Sequence, residues 1–239
     1  ILVHANITAD GDGCINLALA VGPRLSKRQR RASAAATKAA HSSAPILCFD
    51  VGSFCEQMSD NEISALSRQL QSIYGYNRSL PQPFTLCLAG LQSAARIINA
   101  LQVHRAENWV IRREDSPPWV AFDPGRLIYL SSDAEEPLTA EDVRREDGCV
   151  LVIGGLVDHE NGQAGGSRVG AALAVARSEG IRARRLPIEA VCVVRKPSLT
   201  CLAVAQILAG FFSCGDWAEA VREAPAMSVA PLRKYVRWK

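Results

Sequence analysis

The chain has 239 residues, a net charge of +3, and 48% hydrophobic against 21% charged residues. That is ordinary for a globular protein able to bury a substantial core in one large domain, with or without an arm. No apolar stretch reaches the roughly 18 residues that a membrane-spanning helix needs. A start at Ile1 rather than Met reads as a fragment or a processed form.

Residues 1–44 read as a basic N-terminal arm, partly disordered or helical. From Gly13 to Phe49 there is no Asp or Glu, while Arg24, Lys27, Arg28, Arg30, Arg31 and Lys38 bring +6, so the remaining residues carry −3 of the +3 total. A basic arm on a mildly acidic body suits a polyanion such as a nucleic acid, because Lys and Arg bind phosphate by releasing condensed counterions. The same composition also describes a solvated tail or, being Arg-rich, Ser-rich and acid-poor, a targeting segment. Residues 24–41 suit an Ala-rich basic helix that ends at Ser42-Ser43-Ala44-Pro45.

The body, 45–225, alternates strands and helices. Ile46–Val51 reads as a strand. Ser59-Asp60-Asn61-Glu62 has the capping-box pattern, and the helix after it puts Ile63, Leu66, Leu70 and Ile73 on one face. Phe84–Leu88 is a second strand, Ala94–Val103 a second helix and Asn108–Ile111 a weak strand, before a loop at Pro117-Pro118. Leu127–Leu130 is a strand that runs into Ser131-Ser132-Asp133, and Thr139–Arg145 a short capped helix. Cys149–Ile153 is the central strand. Gly165–Glu179 reads as a helix stopped by Gly180 in the usual C-terminal glycine position. A strand at Ala183–Ile188 follows, then an apolar helix at Leu202–Phe212 and a short one at Trp217–Glu223. Residues 226–239 form a C-terminal tail. This alternation predicts an α/β fold with a mainly parallel sheet covered by helices on both faces.

Eight cysteines, Cys14, Cys48, Cys55, Cys87, Cys149, Cys192, Cys201 and Cys214, form no CxxC pair and show no zinc spacing. Several lie in apolar strands. They read as reduced, buried thiols of an intracellular protein, with no metal.

The segment Val152 to His159 carries the most functional information. An apolar run stops at Gly154-Gly155, and Asp158 follows three residues later. In an open α/β sheet ligands bind beyond the carboxyl ends of the strands, so Asp158 stands where a site would be. A solvated loop acid beside a structural turn is the plainer reading. The glycine pair allows a tight turn or a close approach to a ligand. It is not a dinucleotide fingerprint, and no phosphate-binding lysine loop occurs. Three strand-end loops stand together: Leu130 to Asp133, Gly154 to His159, and Arg185 to Ile188. Ser198-Leu199-Thr200 precedes the apolar helix. Such loops can hold an adenine edge through backbone groups, which suits an adenosine-bearing cofactor.

Tyr129-Leu130-Ser131-Ser132-Asp133, then Val152 to His159, then Arg184-Arg185-Leu186-Pro187-Ile188 together resemble the Trm10 family of tRNA purine-9 N1-methyltransferases, of the SPOUT superfamily. Leu47-Cys48-Phe49-Asp50 and Ile73-Tyr74-Gly75-Tyr76-Asn77-Arg78 resemble the family's first strand and helix end. The resemblance covers roughly residues 24–223. It implies a SPOUT-type fold with a C-terminal trefoil knot and a bent S-adenosyl-L-methionine in the knot loops. It implies Leu130, Ser131, Gly154, Asp158, His159, Leu186, Ile188, Leu199 and Thr200 around that cofactor, and Asp158 as general base. The arm residues Arg24, Lys27, Arg28, Arg30, Arg31 and Lys38 would bind RNA. The implied activity is methylation of N1 of the purine, guanine first, at tRNA position 9 by a monomer in the nucleus or cytoplasm rather than the mitochondrion. Two departures, a longer stretch between Asp158 and Gly180 and Leu202-Ala203 in place of a polar pair, leave a second expectation: a tRNA-binding platform with weak or no methyl transfer.

Overall fold

The computed structural model describes residues 45–144, 148–157, 170–194, 199–228 and 236–239. They belong to the unit Ala40–Lys239, while Ile1–Ala39 is a separate unit. The arm, with its six predicted RNA-binding residues, lies outside the described residues, as do Asp158 and His159.

Six strands make one sheet. They are β1 (Ile46–Asp50), β2 (Thr85–Ala89), β3 (Arg112–Glu114), β4 (Leu127–Leu130), β5 (Val150–Gly154) and β6 (Arg182–Arg184). Their order is β3-β2-β1-β5-β4-β6, and every pairing is parallel. Apolar runs with no alternation, such as Leu47 to Phe49 and Val150 to Ile153, are what a parallel sheet buried on both faces requires.

On one face lie α1 (Asp60–Asn77), α2 (Ala95–Gln102), α6 (Cys201–Cys214) and α7 (Trp217–Glu223). Ser59 starts α1 with the predicted capping box: its hydroxyl accepts the Glu62 N–H, and Glu62 Oε2 accepts the Ser59 N–H at 2.7 Å. Leu66, Leu70 and Ile73 then join Leu47, Phe49, Leu151, Ile207 and Phe211 in one apolar cluster. On the other face are α3 (Pro118–Ala121) and α5 (Ala171–Ser178). There Cys48, Cys87, Leu127, Tyr129, Val150 and Val152 pack with Ala176 and Ile181. Short pieces complete the fold: α4 (Ala140–Val143), capped by Thr139, and α8 (Pro225–Ser228). A second sheet pairs β7 (Cys192–Val194) with β8 (Val236–Trp238), antiparallel.

The weak strand expected at Asn108–Ile111 is displaced. Arg105 takes a left-handed φ of 53°, Ala106–Asn108 form a 3-10 turn, and Trp109 stacks on Tyr74 with ring centroids 4.7 Å apart. The apolar residues there cover α1, and the edge strand falls to the polar Arg112–Glu114. The strand expected at Ala183–Ile188 ends early at Arg184, because Arg185 bridges instead to Pro137 and its N–H donates to the Glu136 carbonyl at 3.0 Å, and Ile188–Ala190 is a 3-10 turn. The Pro117-Pro118 loop starts a helical turn, with Pro118 in the first-turn position proline tolerates. The helix expected at Gly165–Glu179 is described only from Ala171, and Gly180 ends it at φ 66° as predicted. The C-terminal half expected to hold a trefoil knot includes residues 158–169 and 195–198, which lie outside the described residues.

Candidate functional site

At the carboxyl ends of β4, β5 and β6 a cavity of about 350 Å³ opens. It is within the size range of small-molecule sites and at the end of a parallel sheet where ligands bind. Leu130 to Asp133 line it from the loop after β4, and Ile153, Gly154 and Leu156 from the end of β5. Arg185, Leu186, Ile188 and Glu189 come from the loop after β6. Cys192 and Val193 of β7, Leu199, Cys201 and Val204 around the start of α6, Ala172 of α5, and Lys239 complete the wall.

Backbone hydrogen bonds lace these loops together. The Ser131 N–H donates to the Arg184 carbonyl at 3.0 Å, and Leu138 N–H to the Arg185 carbonyl at 2.7 Å. Asp133 Oδ2 accepts the Gly170 N–H at 2.9 Å, which ties the loop after β4 to the start of α5. Gly155 donates to the Asp50 carbonyl at 2.9 Å, and a Cβ there would lie 2.8 Å from that oxygen. The close approach that this glycine permits is therefore to the backbone of β1.

The charges at the rim are mostly satisfied. Arg185 pairs with Glu189 at 2.9 Å and donates to the carbonyls of Ala134 and Glu135. Arg184 pairs with Glu136 at 2.8 Å and Asp142 at 3.2 Å. Burial works to raise the Asp142 carboxyl, but the Thr139 donors and Arg184 outweigh it and hold it below its ordinary value.

Both wall cysteines are pushed toward the protonated thiol. Burial pushes the Cys201 thiol up to about 12, and burial with the nearby Glu189 charge raises Cys192 against the opposing pull of Lys239. Only a thiolate attacks, so these shifts lower the reactivity of both. Among the described residues no group of His, Cys, Asp and Glu is placed to hold a metal ion, and no helix is long and apolar enough to cross a membrane.

Residues 18–235 match the family model of the tRNA (guanine(9)-N(1))-methyltransferase TRM10/TRM10A. The chain belongs to the Trm10 family. It is similar to tRNA methyltransferase 10 homolog B of Mus musculus, 29% identical over 81% of this chain and 59% of the relative. It is also similar to the tRNA (guanine(9)-N(1))-methyltransferase Trmt10A of Drosophila melanogaster, 27% identical over 94% of this chain and 65% of the relative. The chain thus spans about three fifths of the length of these curated relatives. Among solved structures, the full-length spTrm10–SAH complex superposes with a TM-score of 0.62 at 22% identity, covering 77% of this chain and 96% of that one. A dual-specific Trm10 of Thermococcus kodakaraensis gives a TM-score of 0.54 at 18% identity, covering 75% of this chain and 99% of that one. These likenesses show the expected SPOUT-type fold.

Within this Trm10-family chain, six of the residues expected around the cofactor, Leu130, Ser131, Gly154, Leu186, Ile188 and Leu199, line this cavity. Thr200 sits beside it as the N-cap of α6, its hydroxyl accepting the Ala203 N–H at 3.1 Å. Asp158 and His159 follow directly on Val157, a buried residue, but lie outside the described residues. Sequence reasoning missed Glu189, Cys192, Val193, Cys201, Val204 and Lys239. Cys201 and Val204 were open to detection, since residues three apart share a helix face. Cys192, Val193 and Lys239 reach the wall through the β7–β8 pairing, which no local pattern announces.

Proposed function

We propose that this protein transfers the methyl group of S-adenosyl-L-methionine to N1 of guanine at position 9 of tRNA, acting as a monomer. The observation that carries this reading is the convergence of Leu130, Ser131, Gly154, Leu186, Ile188 and Leu199 on one cavity. Membership of the family and the guanine-9 name of the fly relative support it. The SAH held by the solved relative supports the cofactor.

The residues present fit such a group. The wall is apolar around Leu130, Ile153, Leu156, Leu186 and Ile188, residues that would shield an adenine ring from water, and the loop backbones would offer it hydrogen-bonding groups. When bound, the cofactor supplies an electrophilic methyl group. Neither wall cysteine competes for it, because both thiols stay protonated. Asp158, one residue beyond Val157, accepts the proton of guanine N1, which is a poor nucleophile until that proton leaves. The loops laced across β4, β5 and β6 hold the reacting groups in line, and that positioning supplies most of the remaining acceleration. The target base leaves its stack to reach the cavity.

For tRNA affinity the reading relies on Arg24, Lys27, Arg28, Arg30, Arg31 and Lys38. The arginines Arg177, Arg182, Arg184 and Arg185 of the body each pair with a carboxylate. They have less charge to offer phosphate than the arm has. The free cysteines among the described residues, all buried except Cys214, suit a reducing nuclear or cytoplasmic compartment.

The test is methylation of unmodified tRNA transcripts bearing G9 or A9, with labelled cofactor and mapping by primer extension. A stop at position 9 of the G9 transcript is expected. Asp158→Asn is expected to slow transfer to guanine on the order of 100-fold while SAH binding stays intact. Transfer to guanine at the unmodified rate would remove Asp158 as the base.

A further inference from the structure

The second sheet makes a wall of the cavity. Cys192 pairs with Trp238 and Val194 with Val236, and the Lys239 N–H extends the ladder by donating to the Val191 carbonyl at 3.0 Å. The main chain of Lys239 is thereby fixed beside β7, and Lys239 joins Cys192 and Val193 in the lining.

Four ionisable groups of the lining, apart from the cysteines, divide unevenly. Asp133 is engaged by the Gly170 N–H. Arg185 and Glu189 neutralise each other at 2.9 Å. The Lys239 side chain has no hydrogen bond or ion pair among the described residues, its one bond being that of the main-chain N–H. A lysine in the lining of a cavity with no carboxylate partner is a positive charge on a flexible stem, available to an anion.

We propose that Lys239 binds the carboxylate of the amino-acid portion of the ligand, so that the β7–β8 pair forms one wall of the cofactor site. The inference rests on the reading that this cavity takes S-adenosyl-L-methionine. Of that molecule's parts, the adenosine suits the apolar wall of Leu130, Leu186 and Ile188, and only the amino-acid portion carries a negative charge. The ammonium of Lys239 meets that charge, and because Lys239 is exposed the contact is screened by salt.

Isothermal titration with two ligands tests this. S-adenosylhomocysteine carries the amino-acid carboxylate, and 5′-methylthioadenosine lacks it. In Lys239→Met, affinity for S-adenosylhomocysteine is expected to fall about fivefold, with affinity for 5′-methylthioadenosine unchanged. Lys239→Arg is expected to recover most of the loss, and raising the salt concentration should shrink the difference. Unchanged binding of S-adenosylhomocysteine, or an equal loss for both ligands, would overturn the assignment, the latter because it reports packing of the wall rather than charge. If the unmodified protein binds neither ligand, the cofactor reading itself fails and this inference falls with it.

Discussion

The two faces of the six-stranded sheet use the same strands and different chemistry. One face sends Leu47, Phe49, Leu86, Leu88, Leu151 and Ile153 into a continuous apolar layer against α1, α2, α6 and α7. The other presents Cys48, Cys87, Ala89 and Tyr129, and its described cover is chiefly α5 and the turn of α3. It also holds the carboxylate of Asp50, fully buried, which accepts the Tyr129 hydroxyl at 2.8 Å and the Ser53 N–H at 3.1 Å. Apolar burial stabilises the first face without direction. The second depends on a few directed bonds, which hold β1 and β4 on either side of Gly154, where the cavity begins.

Substitutions on each face separate the two kinds of stabilisation. The largest effect is expected from Phe49→Ala, which opens a void in the apolar layer and should cost about 4 kcal/mol in chemical denaturation. A loss near that of an exposed site would mean the layer collapses around the gap.

Tyr129→Phe on the opposite face removes almost no packing volume but leaves the Asp50 carboxylate, among the described residues, with the Ser53 N–H alone. It should cost roughly 2 kcal/mol. Burial, then the charge and hydrogen bond of Asp50, hold the Tyr129 hydroxyl well above its ordinary value. In the unfolded chain it ionises near pH 10. The stability due to neutral Tyr129 is therefore complete below about pH 10 and is lost as pH rises from there toward the folded value. The unmodified protein should lose stability more steeply above that pH than Tyr129→Phe. Identical alkaline slopes would show that the bond does not control the face.

The smallest effect belongs to the first face. Ser59→Ala removes one half of the capping box of α1 and should lower the unfolding free energy by about 1 kcal/mol, because packing of Leu66, Leu70 and Ile73 keeps the helix in place.

Much of the sheet was legible because its strands are continuous apolar runs. Leu127–Leu130 and the helix Trp217–Glu223 came out as expected. Gly180 marked a helix end because only a residue without Cβ takes positive φ there easily. β3 was not legible, since Trp109 is drawn to Tyr74, a partner 35 positions earlier in the numbering. β7 and β8 were not legible either, since each is three residues long and makes sense only beside the other.

The candidate site divides in the same way. The strand-end loops at Leu130-Ser131, Gly154 and Leu186 to Ile188 followed from sequence, because a parallel sheet must present its ligand site at those ends. The polar pair Asp50–Tyr129 and the wall around Lys239 did not follow.

The sequence by itself determined the alternation of strands and helices, the parallel sheet, the caps of α1 and α4, and the family. These rest on local period, local hydrogen bonding and motifs that the chain carries whole. Only the tertiary structure decided which face holds the buried carboxylate, that Gly155 serves the backbone of β1, and that β8 pairs with β7 and brings Lys239 to the cavity. Each of these depends on atoms brought together from distant parts of the chain, and no local pattern encodes a distance between them.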